Sequence, residues 1–367
     1  MILMKTCFFL FSHPAPYKVN LFNGLAKHLR LTVFFERELS GYAKEQYVSK
    51  DHWKFNYRML KGVKIGKENH LSFEVKKHLS EHRYDYIVMN GYSSWTEIIT
   101  ILFLQKYKIP YYLYVNGGVI RKDSPLKFAL KKKLISGAKG YFSPTPIVDD
   151  YLVHYGATKE KIMHYPYSTI FQEEILKKYL STAEKKELRK TIGLPQEDNV
   201  FISIGQFIPR KNFTTLIQAW KKMPKHYHLI IVGNGPLKHT FQRSIRQNRL
   251  SNVTIKPFQP KNLLLSMLRA SDGFILLSKE DIYGHVVNEA LSQGIPVLSS
   301  DQVISSKVLI QQGINGYRIS LNSMASFPKK VHQLILIQNP EASLRIAKEH
   351  TIEKMVKTHL SFFGISS

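Results

Sequence analysis

The sequence predicts an α/β protein in which two domains are each built on a parallel sheet. Short apolar runs alternate with longer amphipathic stretches along the 367 residues. Strands separated by single helices need right-handed crossovers and therefore favour parallel pairing. The polar stretch from Gln172 to Arg189 separates two such series, as a helical connector would. We therefore expect a domain boundary near Ile170, in agreement with about 150 residues per domain.

The individual elements follow from hydrophobic periodicity. In the first half, strands are expected at 6–11, 31–35, 86–89, 111–115 and 141–143, with helices at 17–29, 71–81, 94–107, 126–135 and 147–155. In the second half, strands are expected at 200–204, 229–232, 253–255, 273–277 and 295–298, and the last strand-like run ends at Ser320. The predicted domains are 1–170 and 171–340. A C-terminal helical segment in 341–367 could pack back on either domain, and we favour the first.

Composition excludes several classes of protein. Hydrophobic residues make up 44% of the chain, which is too many for a disordered protein. Cys7 is the single cysteine, so a disulfide scaffold and a cysteine-based zinc cluster are both excluded, and a reducing, cytoplasmic setting is expected. The apolar run that contains Cys7 is shorter than the roughly 7–15 residues of a signal peptide, and no run reaches the roughly 18 residues of a membrane span.

The chain is strongly basic. It has 53 Lys and Arg against 27 Asp and Glu, a formal net charge of +26, and half of that charge lies on each side of Ile170. Both domains are therefore expected to face something anionic, which could be nucleic acid, a membrane leaflet or a phosphorylated small molecule.

Ligands of open parallel sheets bind where strands end and helices begin, so the turns after the strands are the candidate sites. In the first such turn of the second half, Gly205 permits a tight turn, and Arg210 and Lys211 lie at the mouth of the next helix. Two cations there would suit a diphosphate, although a solvated basic loop is the alternative. In the next turn, Gly233 and Asn234 would let a ligand approach the backbone, or form an ordinary turn.

A third turn combines acids with a helix start. Glu280 and Asp281 follow a strand, Gly284 precedes a helix, and Glu289 lies on that helix eight residues after Asp281. Backbone N–H groups at the helix start would suit phosphate, and carboxylates would suit ribose and sugar hydroxyls. The amides concerned are those of His285, Val286 and Val287. The alternative is that the acidic pair only caps a helix and that Glu289 is exposed.

Together these turns resemble the retaining glycosyltransferases of family 4. The resemblance covers most of 200–320 and includes the Gly313-x-Asn-Gly316-Tyr317 turn. In the first half, the segment HPAPYKVNLFNGLAKHL is similar to the first loop and helix of bacterial members that build surface polysaccharides. The family implies the GT-B fold, in which two Rossmann-like domains face each other across a cleft. It also implies that the first domain binds the acceptor and the second the nucleotide sugar.

The resemblance assigns roles on the donor side. Glu289 would hold the ribose, and Arg210 and Lys211 would neutralise the diphosphate. The family's sugar-contacting acid is usually Glu, whereas this sequence has Asp281 with Glu280 beside it, so either could act. Gln206 stands where the family often has a basic residue. By analogy the base would lie near Lys256, Pro257 and Phe258. The remaining donor-side candidates are Gly205, Gly233, Asn234, Tyr283, Gly284, His285, Val286 and Val287.

The acceptor side would come from loops of the first domain. Family members often carry His or Asp there, but the corresponding loop of this chain has no histidine, and His13 on the first loop is a candidate that could equally be an ordinary polar loop residue. The other candidates are Tyr17, Lys18, Asn90 in the 90–93 loop, Asn116, Gly117 and Gly118.

A basic amphipathic segment crosses the first domain. From Arg121 to Lys139 it has seven basic residues and one acid, with apolar residues interleaved. The helix expected from Leu126 to Ile135 could lie on an anionic membrane, or it could be a normal surface helix whose apolar stripe faces the sheet.

The predicted reaction is transfer of a sugar from a nucleoside diphosphate sugar, UDP-linked by preference, to a hydroxyl of a saccharide or lipid-linked acceptor in cell-surface glycan synthesis. The resemblance implies retention. Cations and amides would stabilise the leaving diphosphate, so no metal and no cofactor are expected, and Asp149 and Asp150 do not form an Asp-x-Asp motif. The alternatives are a sugar-nucleotide epimerase or phosphorylase on the same fold, and a nucleic-acid binder, for which no binding module is seen.

Overall fold

The computed structural model describes residues 4–38, 50–65, 69–196 and 199–366. The chain divides into two compact units. Unit 1 is formed by Met1–Tyr167 together with Ile352–Ser367, and unit 2 is formed by Ser168–Thr351. Among the described residues, no helix is both long enough and apolar enough to cross a bilayer.

Unit 1 contains a sheet of seven parallel strands in the order β3-β2-β1-β6-β7-β8-β9 and a separate antiparallel hairpin, β4-β5. The strands are β1 (Thr6–Phe11), β2 (Arg30–Phe35), β3 (Asn56–Met59), β4 (Val63–Ile65), β5 (Asn69–Leu71), β6 (Tyr86–Met89), β7 (Tyr112–Tyr114), β8 (Gly140–Ser143) and β9 (Ile162–His164). The helices are α1 (Pro16–Leu25), α2 (Glu74–Glu81), α3 (Trp95–Lys106), α4 (Pro125–Ser136) and α5 (Pro146–His154).

Unit 2 contains a sheet of six parallel strands in the order β12-β11-β10-β13-β14-β15. The strands are β10 (Asn199–Ile204), β11 (Tyr227–Val232), β12 (Val253–Lys256), β13 (Gly273–Leu276), β14 (Val297–Ser300) and β15 (Gly316–Ile319). The helices are α6 (Thr182–Thr191), α7 (Phe213–Trp220), α8 (Lys238–Gln247), α9 (Lys261–Ala270), α10 (Val286–Ser292), α11 (Ile304–Leu309), α12 (Phe327–Ile335) and α13 (Pro340–Glu349).

Burial explains why the apolar runs became parallel strands. Phe8 and Phe9 point to opposite faces of β1, yet both are fully buried, so both faces of the sheet are covered. In unit 2, Ile202 and Phe201 likewise belong to two different apolar clusters, one on each face of β10. The prediction of parallel α/β domains is confirmed.

The segment predicted as a helical connector is only partly helical. Gln172–Glu174 forms a single 3₁₀ turn, and α6 begins only at Thr182, eight residues after the end of that turn. The Ser181 hydroxyl accepts from the Glu184 N–H, and the Glu184 carboxylate accepts from the Ser181 N–H, so a capping box fixes this helix start. Local capping therefore decides where the helix begins.

The C-terminal segment consists of two helices rather than one. α13 ends at Glu349, and α14 (Ile352–Phe362) follows after a two-residue break. α13 belongs to unit 2 and α14 to unit 1. α14 packs on α1, where a Cβ on Gly24 would lie 2.4 Å from Val356 Cγ2, so only glycine allows this close approach.

Candidate functional site

Three loops of unit 2 meet at the carboxyl ends of β10, β11 and β13. The strand order reverses at β10, because β11 and β12 lie on one side of it and β13 to β15 lie on the other. Such switch points are where open α/β sheets bind ligands. The loop after β10 is hydrogen-bonded to the loop after β11, since the Phe207 N–H donates to the Asn234 carbonyl at 2.8 Å. Two of the three loops are therefore fixed to each other.

Glycine is required where these two loops cross. Gly233 has φ +156°, and a Cβ there would lie 1.9 Å from the Gly205 carbonyl oxygen. A Cβ at Gly235 would lie 2.8 Å from the Phe207 nitrogen. In contrast, a Cβ at Gly205 would meet nothing closer than 3.5 Å, where the nearest atoms include the stem of Lys211. The close approach therefore depends on Gly233 and Gly235.

Gly233→Ala is expected to destabilise the protein by about 3 kcal/mol, because the two loops must separate to admit a methyl group. Thermal unfolding measures this loss. Gly205→Ala is the matched control in the same crossing, since its methyl group has room. Equal melting temperatures for the two variants would contradict the close approach.

The cationic pair lies on a short 3₁₀ turn, Pro209–Lys211, after β10. Asn212 ends this turn in the left-handed region with φ +58°, and its side-chain amide donates to the Leu277 carbonyl at 3.0 Å. The Lys279 N–H donates to the Arg210 carbonyl at 2.8 Å. The turn is thus fastened to the loop after β13, so the cations and the acidic pair are brought together.

Lys211 forms an ion pair with Asp281. The Lys211 ammonium donates to an Asp281 carboxylate oxygen, and the two side chains are only 11% and 10% exposed. Arg210 is more exposed, and its Nη1 lies 3.8 Å from the other Asp281 oxygen. Because water is largely excluded, the pair interacts more strongly than a surface pair would.

The two neighbouring acids differ in position. Asp281 is buried and its backbone bridges to Val303, whereas the Glu280 side chain is exposed. Glu280 contributes its backbone carbonyl, which accepts from Arg210 Nη1 at 3.4 Å. The structure therefore brings the Asp281 carboxylate to the cationic pair.

Glu289 lies on α10 and is half-buried. Its Oε1 accepts from the Thr169 hydroxyl at 2.7 Å. Burial raises the pKa of Glu289, while the hydrogen bond from Thr169 and the charges of Lys261 and Lys211 lower it in part. On the helix that follows the loop of Asp281, the Glu289 carboxylate is therefore held by Thr169.

Lys261 and Thr169 were missed by the sequence reading. Lys261 Nζ donates to the Thr169 carbonyl and to Glu174 Oε2, both at 2.6 Å, and so holds the segment that carries the Thr169 hydroxyl. Neither residue belongs to a motif, and Thr169 lies in the linker just before the predicted boundary. Only the folded chain shows that they orient Glu289.

The start of α10 has fewer amides available than expected. The Val287 N–H donates to the Gly284 carbonyl at 3.0 Å, so this amide is already used within the turn. Gly284 has φ +92° and lies against Val303, where a Cβ would be 2.6 Å from Cγ1. Its carbonyl also accepts from the Ser305 hydroxyl at 3.0 Å, which anchors the turn.

The other donor-side candidates flank these loops. Lys256 ends β12, and its carbonyl accepts from the Gly233 N–H at 3.1 Å, so the residues after β12 adjoin the crossing. Pro257 and Phe258 are exposed there, as is Gln206 on the loop after β10. Tyr283 is buried, and burial raises the pKa of its hydroxyl.

The acceptor-side candidates lie at the carboxyl edge of the unit 1 sheet. Asn90 and Asn116 follow β6 and β7, and Asn116 Nδ2 donates to Asn90 Oδ1 at 3.2 Å. Lys18 is bonded to Asn116, but it is buried instead of lining a surface. Tyr17 accepts from the Tyr167 hydroxyl at 2.9 Å.

The remaining acceptor-side candidates are His13, on the loop after β1, and Gly117 and Gly118, on the loop after β7. Burial, together with the charges of Arg37 and Lys18, lowers the pKa of His13. Gly117 and Gly118 continue the loop after Asn116, and a Cβ on Gly118 would lie 2.6 Å from the Tyr151 ring. The loop therefore passes directly over an aromatic side chain.

Known proteins resemble the chain in sequence and fold. Residues 184–351, somewhat less than half of the chain, match the family model "Glycosyl transferases group 1". The lipopolysaccharide core biosynthesis glycosyltransferase LpsE of Rhizobium meliloti is 26% identical over 148 residues, which are 40% of this chain and 42% of LpsE. An Escherichia coli UDP-Gal:alpha-D-GlcNAc-diphosphoundecaprenol alpha-1,3-galactosyltransferase is 26% identical over 158 residues, 41% of each chain. The chain thus spans about two fifths of these curated relatives.

A solved structure extends the likeness to nearly the whole chain. HepE of Anabaena in complex with UDP has a TM-score of 0.75 at 16% identity, covering 97% of this chain and 99% of HepE. At that identity the likeness shows the fold, which is the two-domain GT-B architecture expected from the sequence.

Proposed function

We propose that this chain is a glycosyltransferase, because residues 184–351 match the family model of the group 1 glycosyl transferases. It moves a sugar from a nucleoside diphosphate sugar, with uridine as the favoured base, to a hydroxyl of a saccharide or lipid-linked acceptor in cell-surface glycan synthesis. The observation that carries this proposal is the placement of Arg210 and Lys211 beside Asp281 at the switch point, with Glu289 on the helix that follows this loop. The names of the relatives, a lipopolysaccharide enzyme and a galactosyltransferase that uses UDP-Gal, support the donor and acceptor classes.

Leaving-group stabilisation is the main task of these residues. When the bond from the sugar to the diphosphate oxygen breaks, negative charge develops on the diphosphate. Lys211 and Arg210 offset that charge from a fixed position, so little reorganisation is needed as the charge develops. The same groups make a bound metal unnecessary in this proposal. Retention of the anomeric configuration remains part of the proposal because of the family resemblance.

Asp281 is proposed as the sugar contact. One of its oxygens is bonded to Lys211, and the other lies toward Arg210, so the carboxylate is oriented before donor binds. A carboxylate oxygen has a second lone pair that can accept from a sugar hydroxyl. The Glu280 side chain, in contrast, is exposed to solvent. We therefore assign the role to Asp281.

Donor binding and acceptor dependence test the proposal. Thermal unfolding is measured with UDP, GDP and ADP and then with nucleotide sugars of each base. Among the three diphosphates, UDP is expected to give the largest increase in melting temperature. Free UDP should then be released from the matching UDP-sugar much faster when a saccharide acceptor is present. Conversion of the donor without acceptor and without UDP release would instead indicate an epimerase. Absence of any nucleotide-dependent shift would reject the proposal.

A second part of the proposal concerns location at the inner face of the cell membrane. Leu126 on α4 is 86% exposed, and Val119, Ile120 and Leu130 are also exposed. The single acid of this segment, Asp123, is buried and accepts from Lys131 at 2.8 Å. The charges that reach solvent from 119–133 are therefore positive, and they stand beside exposed apolar side chains. Such a surface suits an anionic bilayer.

Charge reversal at Lys122, Lys132 and Lys133 is expected to reduce binding to phosphatidylglycerol-containing vesicles at least about tenfold, since each basic residue near such a surface contributes about 1 kcal/mol. Vesicle flotation measures this. A control variant reverses Lys27, Lys76 and Lys77, which are exposed elsewhere on unit 1 and change the net charge equally. Equal losses for the two variants would show that net charge alone, and not this surface, determines binding.

A further inference from the structure

The ammonium of Lys18 is enclosed beneath the carboxyl edge of the unit 1 sheet. Lys18 is the third residue of α1, and only 2% of it is exposed. Its Nζ lies over five aromatic rings, at distances to the ring centroids of 4.0 Å for Tyr114, 4.6 Å for Tyr167, 5.0 Å for Phe11, 5.4 Å for Tyr17 and 6.0 Å for Tyr165. A lysine this deeply enclosed does not touch a surface ligand.

The burial of this charge needs compensation. Within the described ranges, no carboxylate forms an ion pair with Lys18, and its single hydrogen-bond partner is Asn116 Oδ1 at 3.2 Å. Burial lowers the pKa of Lys18 well below its ordinary value. The ring faces and the Asn116 amide oxygen surround Nζ, which has a hydrogen to donate to that oxygen whether the amine is charged or neutral. Because burying an amine is costly, the arrangement needs a reason other than stability.

We find that reason in the side-chain amide of Asn116, which Lys18 helps to orient. Its Oδ1 accepts from Lys18 and also from the Tyr165 hydroxyl at 2.9 Å. Two donors on the oxygen determine which way the amide faces, so Nδ2 is directed to Asn90 Oδ1, 3.2 Å away. The chain of bonds links α1 to the residues that follow β6, β7 and β9.

The helix α14 packs against the aromatic residues that surround Lys18. His359 on α14 is fully buried and stacks on Phe142 at 4.6 Å, and its ring lies 5.2 Å from Tyr165 and 5.4 Å from Tyr114. Burial lowers the pKa of His359 to about 3, so it adds no charge near Lys18 at neutral pH. The aromatic residues around Lys18 are therefore packed against α14 as well as against α1 and the strands.

We propose that Lys18 is a positioning residue for the acceptor. It acts through Asn116 and Asn90, whose loops after β7 and β6 present a fixed surface to the acceptor hydroxyl, and it does not contact substrate itself. This inference rests on the proposed function only in naming the acceptor as the group that the loops receive.

Hydrogen exchange of the full-length protein tests the positioning directly. Lys18→Met keeps the length and apolar stem but removes the donor to Asn116. Amide exchange is expected to rise about tenfold in 90–93 and 116–118, as the loss of one buried hydrogen bond implies, and to stay unchanged in unit 2. Lys139→Met is the control, because that exposed lysine also lies over a tyrosine ring, 5.7 Å from Tyr112. Unchanged exchange in both loops overturns the inference whatever the kinetics show.

Asn116→Asp tests the order of the hydrogen bonds from Lys18 through Asn116 to Asn90. An aspartate still accepts from Lys18 and Tyr165 but cannot donate to Asn90. Exchange should therefore rise in 90–93 and not in 116–118. A rise in 116–118 alone would contradict the proposed order of bonds.

A kinetic comparison separates positioning from general damage. With UDP-glucose as donor, transfer to n-octyl glucoside is compared with hydrolysis by water. Lys18→Met is expected to raise the KM for octyl glucoside about tenfold and to leave hydrolysis and the donor KM within about twofold. An equal fall in transfer and hydrolysis would mean a merely structural role. Failure of the wild-type protein to bind any nucleotide would reject the proposed function, while the exchange result would still decide whether Lys18 fixes the loops.

Discussion

Lys211→Met is expected to lower kcat/KM for the nucleotide sugar by about a thousandfold, the scale found when one preorganised group that stabilises transition-state charge is removed. Lys211 is the less exposed of the two cations, and its ammonium is already oriented by Asp281. Initial rates of UDP release measure the loss. Lys279→Met, an exposed lysine in the loop after β13, should change the rate by less than twofold. A Lys211→Met variant that retains a tenth or more of the wild-type rate would contradict the assignment.

The same substitution has a cost in stability that must be separated from catalysis. Without Lys211, the Asp281 carboxylate, whose side chain is only 10% exposed, loses its closer ion-pair partner and keeps only the more exposed Arg210. The single variant should therefore unfold at a lower temperature. Replacing both partners, as in Lys211→Met with Asp281→Leu, should recover much of that temperature while the enzyme stays inactive. Recovery of activity in the double variant would show that the loss came from misfolding.

Glu289→Gln is expected to weaken donor binding by about ten- to a hundredfold. Glutamine can still accept from the Thr169 hydroxyl, so the change removes the charge and leaves the shape of the site. Hydrogen bonds to a charged acceptor contribute about 1.5–3 kcal/mol, more than bonds to a neutral one. Titration calorimetry with UDP measures the difference. Glu341→Gln, on the exposed side of α13, is the control.

A nucleotide without ribose hydroxyls tests whether Glu289 binds the ribose. Wild-type protein should bind UDP more tightly than 2′,3′-dideoxy-UDP. The Glu289→Gln variant should lose most of that preference, because the hydroxyls would no longer meet a carboxylate. An unchanged preference would place the ribose elsewhere.

The pH dependence of donor binding follows from the same residue. Burial raises the pKa of Glu289 above its ordinary value, and the ionised form is the better acceptor of ribose hydroxyls. Affinity for UDP should therefore be full at neutral pH and fall as the pH drops through that raised pKa. Glu289→Gln should remove this acidic limb. An identical acidic limb in the variant would assign it to another group.

Much of the fold was predictable because its signals are local. Long apolar runs such as β1 and β10 are buried on both faces, and burial on both faces makes parallel strands nearly continuous in hydrophobicity. β3, β9 and the hairpin β4-β5 were missed. These strands have three or four residues, and those of β3 and β4 are mostly exposed, so they carry no apolar run. These strands form by pairing, β3 with β2, β9 with β8 and β4 with β5, and an apolar pattern does not reveal such pairing.

The candidate site was predictable in its residue types but not in its pairings. The turn glycines and the residues Arg210, Lys211 and Glu289 were named from their places after strands. The choice between Asp281 and Glu280 stayed open in the sequence, because both follow the same strand. In the structure the Asp281 side chain is buried beside Lys211 and the Glu280 side chain is exposed, and on that basis we propose Asp281 as the sugar contact.

The sequence by itself determined the strand-and-helix order, the positive charge of both halves and the chemistry available at each turn, because these depend on neighbouring residues. The tertiary structure alone decided which groups meet. Lys211 and Asp281 are 70 residues apart, and Lys18 and Asn116 are 98 residues apart. Such pairs meet only when the sheet order brings their strands side by side, and burial then sets whether a charge needs a partner.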